Sequence, residues 1–350
     1  MNSSTFSSES EADLLYRGWI VRFLSAAIGG GVFLYALVVL CDPYSVGRFG
    51  LIPGVDTAIS SRSLGNMGRL RDQRFDSAIV GNSHGIGLDP VQLSILTGLH
   101  FVQLGILAIG PEGELAIANA FARERRGSPR ALVWVVDDGW CAHDGEFVRS
   151  YDRFPSWLYS GSSLDYLAHV FSIDAIQAAF YRVAVHLLHA PPYGRMDGAT
   201  NPPSAGDLAD MQRTLAAWSS SQAFLPAAPP APPPQAPPIA PSSMFFSGVK
   251  RLQEAISALS PQTIVALVFM PYAKSALPAP DSRAATVLAE CKVQFNEIAR
   301  SRPGTFIIDR LVDDDVARDP RNFQDPTHVT DAYARIAGTD IGLSLRAMMR

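Results

Sequence analysis

The sequence predicts an α/β protein built on a parallel sheet, tethered by one N-terminal transmembrane helix and interrupted by a helical or irregular insertion. Three observations carry this. Phe23 to Cys41 holds no charged residue, and about twenty apolar residues are enough to span a bilayer as a helix. Short β-branched, apolar runs alternate with helix-patterned stretches over residues 73–140 and again over 260–350, the pattern of parallel strands joined by helical crossovers. Between these halves the alternation stops, and residues 141–259 include the low-complexity run LPAAPPAPPPQAPPIAP at 225–241.

Composition narrows the function classes. The chain has 350 residues, 47% hydrophobic and 18% charged, which fits a folded protein with an extra apolar segment. A net charge of −4 gives no basis for binding nucleic acid. Cys41, Cys141 and Cys291 form neither a metal-type spacing nor a disulfide-stapled scaffold. Cys141 and Cys291 are able to pair if the main domain is exported. No cofactor is expected.

In chain order, residues 1–16 are Ser- and Glu-rich and read as a disordered cytoplasmic tail. Residues 17–41 read as the transmembrane helix, with Trp19 and Tyr44 as interfacial aromatics. The run is too long for a signal-peptide core, and no A-x-A site follows. Leu40 is too large to precede a lipoprotein cysteine, so Cys41 reads as an apolar residue at a helix end. Arg17 and Arg22 precede the span and only Arg48 follows closely, which favours a cytoplasmic N-terminus and an exported remainder. Residues 42–72 read as a linker or surface loop. The cluster Arg62, Arg69, Arg71 and Arg74 is expected to be a solvated face, with an anionic ligand or lipid headgroup as the alternative.

The first strand is the run around Ile79 and Val80, ending in Gly81-Asn82-Ser83-His84. Pro90 to Leu96 is a short helix capped by Asp89. Phe101 to Ile106 is a second strand, and a helix follows from Pro111 to about Arg125. Ala131 to Val136 is a third strand, running into Asp137-Asp138. Within the insertion, Leu164 to Leu188 has helical periodicity. The proline tract is extended polyproline II or disordered, a semi-rigid loop that would also suit an envelope assembly partner. Met244 to Leu259 is helical, Thr263 to Met270 a fourth strand, Ala284 to Arg300 a helix, Thr305 to Asp309 a fifth strand, and Asp331 to Met348 a last helix.

The chemistry-bearing residues stand at the ends of these elements. Open α/β sheets bind ligands beyond the carboxyl ends of their strands, and Ser83 stands there. A serine hydroxyl is a poor nucleophile until a base takes its proton. The candidate base is His328, because an imidazole titrates near neutrality. Asp325, three residues earlier, is placed to hold the other ring nitrogen and steady an imidazolium. His84 reads as a neighbour rather than the base. His143, His169, His186 and His189 lack a convincing partner, and the pair His186 and His189 is too small a ligand set for a metal. Asp313-Asp314-Asp315 reads as a solvated acidic loop rather than a cation site.

Gly81-Asn82-Ser83-His84 after the first strand, together with Asp325-x-x-His328 before the last helix, resembles the SGNH (GDSL-type) hydrolase superfamily over residues 73–140 and 260–348. The resemblance implies a flavodoxin-like three-layer α/β/α fold with a five-stranded parallel sheet. It implies Ser83 as nucleophile, His328 as base and Asp325 as its orienter. It also implies an oxyanion hole from the Ser83 N–H, a glycine for which Gly110 is the first choice and Gly105 the second, and an asparagine. The asparagine position falls on Asp137, a departure, because an ionised carboxylate donates no hydrogen bond. Asn82 is a substitute donor or a turn former. The expected reaction is acyl transfer on acyl, above all acetyl, esters of envelope carbohydrate, by a single-pass inner-membrane protein with a periplasmic domain. Two other classes stay open: an inactive fold that binds glycan or an assembly partner, and a lipase-type esterase.

Overall fold

A computed structural model describes residues 6–52, 61–141, 154–189, 194–199, 204–220 and 244–350. The helices are α1 (Phe6–Cys41), α2 (Arg62–Arg71), α3 (Pro90–Thr97), α4 (Pro111–Glu124), α5 (Ser156–Tyr159), α6 (Ser163–His169), α7 (Ile173–Leu188), α8 (Ala205–Ser220), α9 (Ser247–Ser257), α10 (Arg283–Ser301), α11 (Asp315–Arg318) and α12 (Asp331–Met348). The strands are β1 (Ser77–Gly81), β2 (Phe101–Gln103), β3 (Ala131–Val136), β4 (Ile264–Phe269) and β5 (Thr305–Asp309).

The five strands form one all-parallel sheet in the order β2-β1-β3-β4-β5. β1, β2, β3 and β4 are buried along their whole length, as a parallel sheet covered on both faces requires. Side chains alternate between two cores, following the two-residue period of a strand. Val80, Trp134, Val136, Leu267 and Phe269 face one core, closed by α2, α4, α9 and α10. Ile79, Val133, Val135, Ala266 and Val268 face the other, closed by α3 and α12. The result is a three-layer α/β/α arrangement: the alternation predicted its parallel sheet, and the resemblance implied its layers. Because β1 is flanked by β2 on one side and β3 on the other, the chain changes winding direction between β1 and β3, and a crevice opens there at the carboxyl rim.

α1 contains one stretch, Leu15–Cys41, long and apolar enough to cross a membrane, and only 11% of its most apolar window is buried within the protein. That exposure separates it from a core helix. Its last turn is different: Val38 and Val39 join the same core as Val80 and Trp134.

Several expectations are corrected. From Phe6 onward the N-terminal tail is helical and continuous with α1, since no proline or glycine stands between Phe6 and Leu15 to break a helix. The segment after α1 is not a surface loop in its described parts. Tyr44 and Val46 are buried, the Asp42 carboxylate accepts the Val46 and Gly47 N–H groups, and α2 packs on α4 through Met67 and Leu70. Three of the four arginines are not a solvated face either; the exception is Arg74, whose side chain is 71% exposed and pairs with Asp72. Arg62 donates to Gly105 O and Gly198 O, Arg69 to Arg195 O and Asn66 Oδ1, and Arg71 to Ser45 O. Burial pushes the Arg69 guanidinium down to about 10. These cations are consumed in fixing backbone.

α9, counted from sequence within the insertion, packs on α4 and α10 and belongs to the sheet's own helical layer. The helix expected over Leu164 to Leu188 is two, α6 and α7, because Ser172 leaves helical geometry and caps the Ala175 N–H. β2 ends at Gln103, although Leu104 and Ile106 still donate to Ile79 O and Gly81 O. The proline tract 225–241 and His143 lie outside the described residues.

Cys141, just past β3, is disulfide-bonded to Cys291 of α10, closing a loop of sequence separation 150, while Cys41 is free and buried. A cross-link over so long a loop restrains the unfolded chain strongly. Thiol titration of the denatured protein is therefore expected to find one thiol before reduction and three after. Reduction is expected to cost about 2–5 kcal/mol of stability, read by denaturant unfolding with and without reductant.

Candidate active site

β1 ends at Gly81, where φ is +149° and an added Cβ would stand 2.7 Å from Val135 O. Only glycine lets the chain leave the strand this close to β3. Asn82 is extended, with φ −93° and ψ −155°, and its side chain caps a 3-10 turn over Ser83–Gly85 by accepting the His84 N–H. Gln103, fully buried at the end of β2, braces that turn by donating to Gly85 O and Leu88 O. Ser83 is therefore held at the carboxyl end of β1, beside the crevice between β1 and β3.

The partner segment follows β5 and α11. Phe323 and Val329 pair as an antiparallel bridge, Gln324 N donates to His328 O, and Ala273 N, just after β4, donates to Pro326 O. This closed loop sets His328 Nε2 2.7 Å from Ser83 Oγ. On the far side of the ring, His328 Nδ1 lies 2.9 and 2.8 Å from the two Asp325 oxygens. The N–H groups of Thr327 and His328 also reach Asp325 Oδ1 at 2.9 Å. The Thr327 backbone bond is the largest influence holding the Asp325 carboxyl down to about 2, helped by the His328 side chain. An ionised carboxylate only accepts, so Nδ1 carries the ring proton. In the neutral ring Nε2 is then a bare acceptor for the Ser83 hydroxyl. The arrangement can take a proton from an alcohol and stabilise the imidazolium that results.

The other candidates fall into two groups. Asn82 and Asp137 come together across the crevice, Asn82 Nδ2 donating to Asp137 Oδ2. Asp137 also accepts the Gly139 N–H at 2.9 Å and lies 3.3 Å from His84 Nδ1. Asn82 Oδ1 takes His84 Nδ1 at 2.9 Å. The Asn82 amide is thus committed to its neighbours, and Asp137 is a hub of acceptors. Gly110 stands at the start of α4, accepting the Gly113 and Glu114 N–H groups. Gly105 lies against the end of β1 that leads into the Ser83 turn, where an added Cβ would be 3.3 Å from Gly81 O, and its N–H is taken by Gln103 Oε1 at 2.8 Å. His189 is the left-handed C-cap of α7, one residue past its last helical position.

Sequence reasoning placed His84 as a neighbour of the base and missed Tyr272, Glu114 and Gln103. His84 stacks on His328, ring centroids 4.9 Å apart at 21°, and Tyr272 lies against its ring at 5.1 Å. Tyr272 donates to Asp138 Oδ1 at 3.0 Å, and burial with Asp137 and Asp138 nearby pushes its phenol up. Glu114 is fully buried. Its Oε2 accepts the indole N–H groups of Trp134 and Trp140 at 3.0 and 3.3 Å, and Oε1 has no hydrogen-bond partner among the described residues. A lone amide in an apolar strand and a lone acid on an apolar helix face were the available signals for Gln103 and Glu114. No protein-family model matches the chain, and no curated protein matches it at a significant level.

Burial, and second the charge of Asp137, pushes the Glu114 carboxyl well above the ordinary range. A carboxyl whose folded value is raised stabilises the fold fully below its unfolded value of about 4.3 and loses that stability as pH rises toward the folded value. Glu114→Gln mimics the neutral acid. Its melting temperature relative to the native chain is expected to climb between pH 5 and pH 8. Thermal unfolding across that range checks this, and a flat difference would mean that Glu114 is ionised throughout.

Proposed function

We propose that the chain is a membrane-anchored serine acyl-transfer enzyme, an esterase or O-acyltransferase acting on acyl esters of envelope carbohydrate. The observation that carries this is the Ser83 Oγ to His328 Nε2 contact of 2.7 Å, with Asp325 on the opposite ring nitrogen. Ser83 attacks the ester carbonyl as its proton moves to Nε2. The imidazolium, held by Asp325, returns that proton to the departing alkoxide. Water or a sugar hydroxyl, deprotonated by the same nitrogen, then resolves the acyl-Ser83 ester. The tetrahedral oxyanion relies on main-chain donors, among them the Ser83 N–H and the glycine N–H of Gly110. Asp137 supplies no donor, and one missing donor costs about 10²–10³ in rate.

Two features support the location. Arg17 and Arg22 lie before the uncharged run Phe23–Cys41, on the side expected to stay cytoplasmic. The Cys141–Cys291 disulfide belongs to an oxidising compartment, which for an inner-membrane protein is the periplasm. A second reading, a binding protein for glycan that no longer turns over, is favoured by Asp137 itself, an acceptor already engaged by the Asn82 amide and the Gly139 N–H.

A fluorophosphonate probe decides between them. The native chain in detergent is expected to become labelled at Ser83 and Ser83→Ala to remain unlabelled. Asp325→Asn is expected to lower turnover of a short acyl ester by about 10⁴-fold, because it leaves the imidazole in the wrong tautomer. Absence of both labelling and ester cleavage in the native chain would favour the binding protein. Because Asp325 holds to about 2, the rate profile of ester cleavage between pH 4 and pH 9 is expected to show no limb that belongs to Asp325.

A further inference from the structure

α6 and α7 are braced on the end of α1. Tyr35 of α1 donates its hydroxyl to Leu167 O at 2.8 Å and packs its ring 5.8 Å from Phe171. Higher up, the fully buried Arg182 of α7 donates to Asp42 O at 3.0 Å and Ile52 O at 3.2 Å. Tyr35 lies six residues before Cys41, about 9 Å along a helix, and within the stretch apolar enough to cross a membrane. The corner between α6 and α7 therefore meets α1 at a level where α1 is still lipid-facing.

That corner is apolar and open. Leu164 is 78% exposed, Ile173 75% and Phe171 46%. Phe180, one heptad after Ile173 on the same face of α7, is 61% exposed. Exposed apolar side chains gathered on neighbouring short segments mark an interaction site in a folded protein. The charged and titratable groups beside it include Asp165, His169, Asp174 and Tyr181, and Arg48, which donates to Ser163 Oγ at 3.4 Å. They set a shallow depth, because a carboxylate stays at the headgroup level.

Resting on the reading of α1 as a span, we propose that the α6–α7 corner dips into the outer leaflet of the bilayer that α1 crosses, with α7 climbing out of it toward Arg182. The occupant of this surface is lipid, because the surface is continuous with the exposed flank of α1. Two attachments then fix the domain's tilt as well as its height.

The test uses the full chain with Cys41→Ala, reconstituted in phosphatidylethanolamine–phosphatidylglycerol vesicles. Single nitroxide labels are placed at Ile173→Cys, Phe180→Cys, Val32→Cys in α1 and Glu112→Cys on α4, and power saturation compares oxygen with a water-soluble nickel chelate. The expected oxygen-to-nickel ratio falls in the order Val32, Ile173, Phe180, Glu112, with Ile173 several-fold above Glu112. A water-like ratio at Ile173 beside a lipid-like ratio at Val32 overturns the inference and leaves the span standing. A water-like ratio at Val32 overturns the span itself. Low collision with both agents at Ile173 assigns the corner to a protein partner and overturns the lipid proposal. Leu164→Cys repeats the measurement if the Ile173 variant misfolds.

Discussion

All five strands run the same way, and that constraint places the ends of β1, β3, β4 and β5 on one rim. Ser83 follows β1, Asp137 follows β3, Tyr272 follows β4, and the Asp325–His328 loop comes after β5. A contact between residues 245 apart in sequence, Ser83 with His328, needs no long-range coincidence once the strands are parallel. It needs only that each loop be held short. Gly81 does this on one side by leaving β1 directly against Val135 O. The Phe323–Val329 bridge and the Ala273 N to Pro326 O bond do it on the other.

The sequence made the frame and the central pair of the site legible because both are written locally. Ile79 and Val80, Ala131 to Val136 and Ile264 to Phe269 are unbroken apolar runs of strand length. A serine or a histidine just past an element is visible in one dimension. What escaped was written across the fold. Arg62, Arg69 and Arg71 look like a charged surface until the carbonyls they satisfy, at Gly105, Arg195 and Ser45, are brought to them. His84 sits beside Ser83 in the chain, yet its stacking on His328 depends on the loop that follows β5. α9 looked like part of the insertion because the proline tract precedes it, but it fills the layer between α4 and α10. The same limit applies to Gly105 and Gly110, which have similar local signals and differ in which turn they touch.

The crevice between β1 and β3 also explains how an aspartate is accommodated at position 137. Around it stand Asn82 Nδ2, the Gly139 N–H and His84 Nδ1, donors that suit a carboxylate and that an asparagine amide nitrogen would oppose. The surrounding side chains are therefore matched to an acceptor. Asp137 serves as a rigid bridge joining the Ser83 turn to β3. Glu114 lies behind this bridge with an elevated pKa for which the charge of Asp137 is partly responsible. A second full charge there would face the first in a dry interior, so a neutral Glu114 and a donor-rich Asp137 are one arrangement.

The end of α1 bears on how such a site is presented. Val38 and Val39 share a core with Val80 and Trp134, and Arg182 holds the segment that follows through Asp42 O and Ser45 Oγ. A helix joined to a domain by a flexible linker leaves that domain free to search. A helix whose last turn is core sets one orientation, because tilting the domain would expose those valines to water at about 1.5–3 kcal/mol for each side chain. For the acyl transfer proposed here, substrate must then be delivered to a rim at fixed height above the bilayer. That geometry suits an acceptor or donor that is itself held near the membrane better than one that diffuses freely.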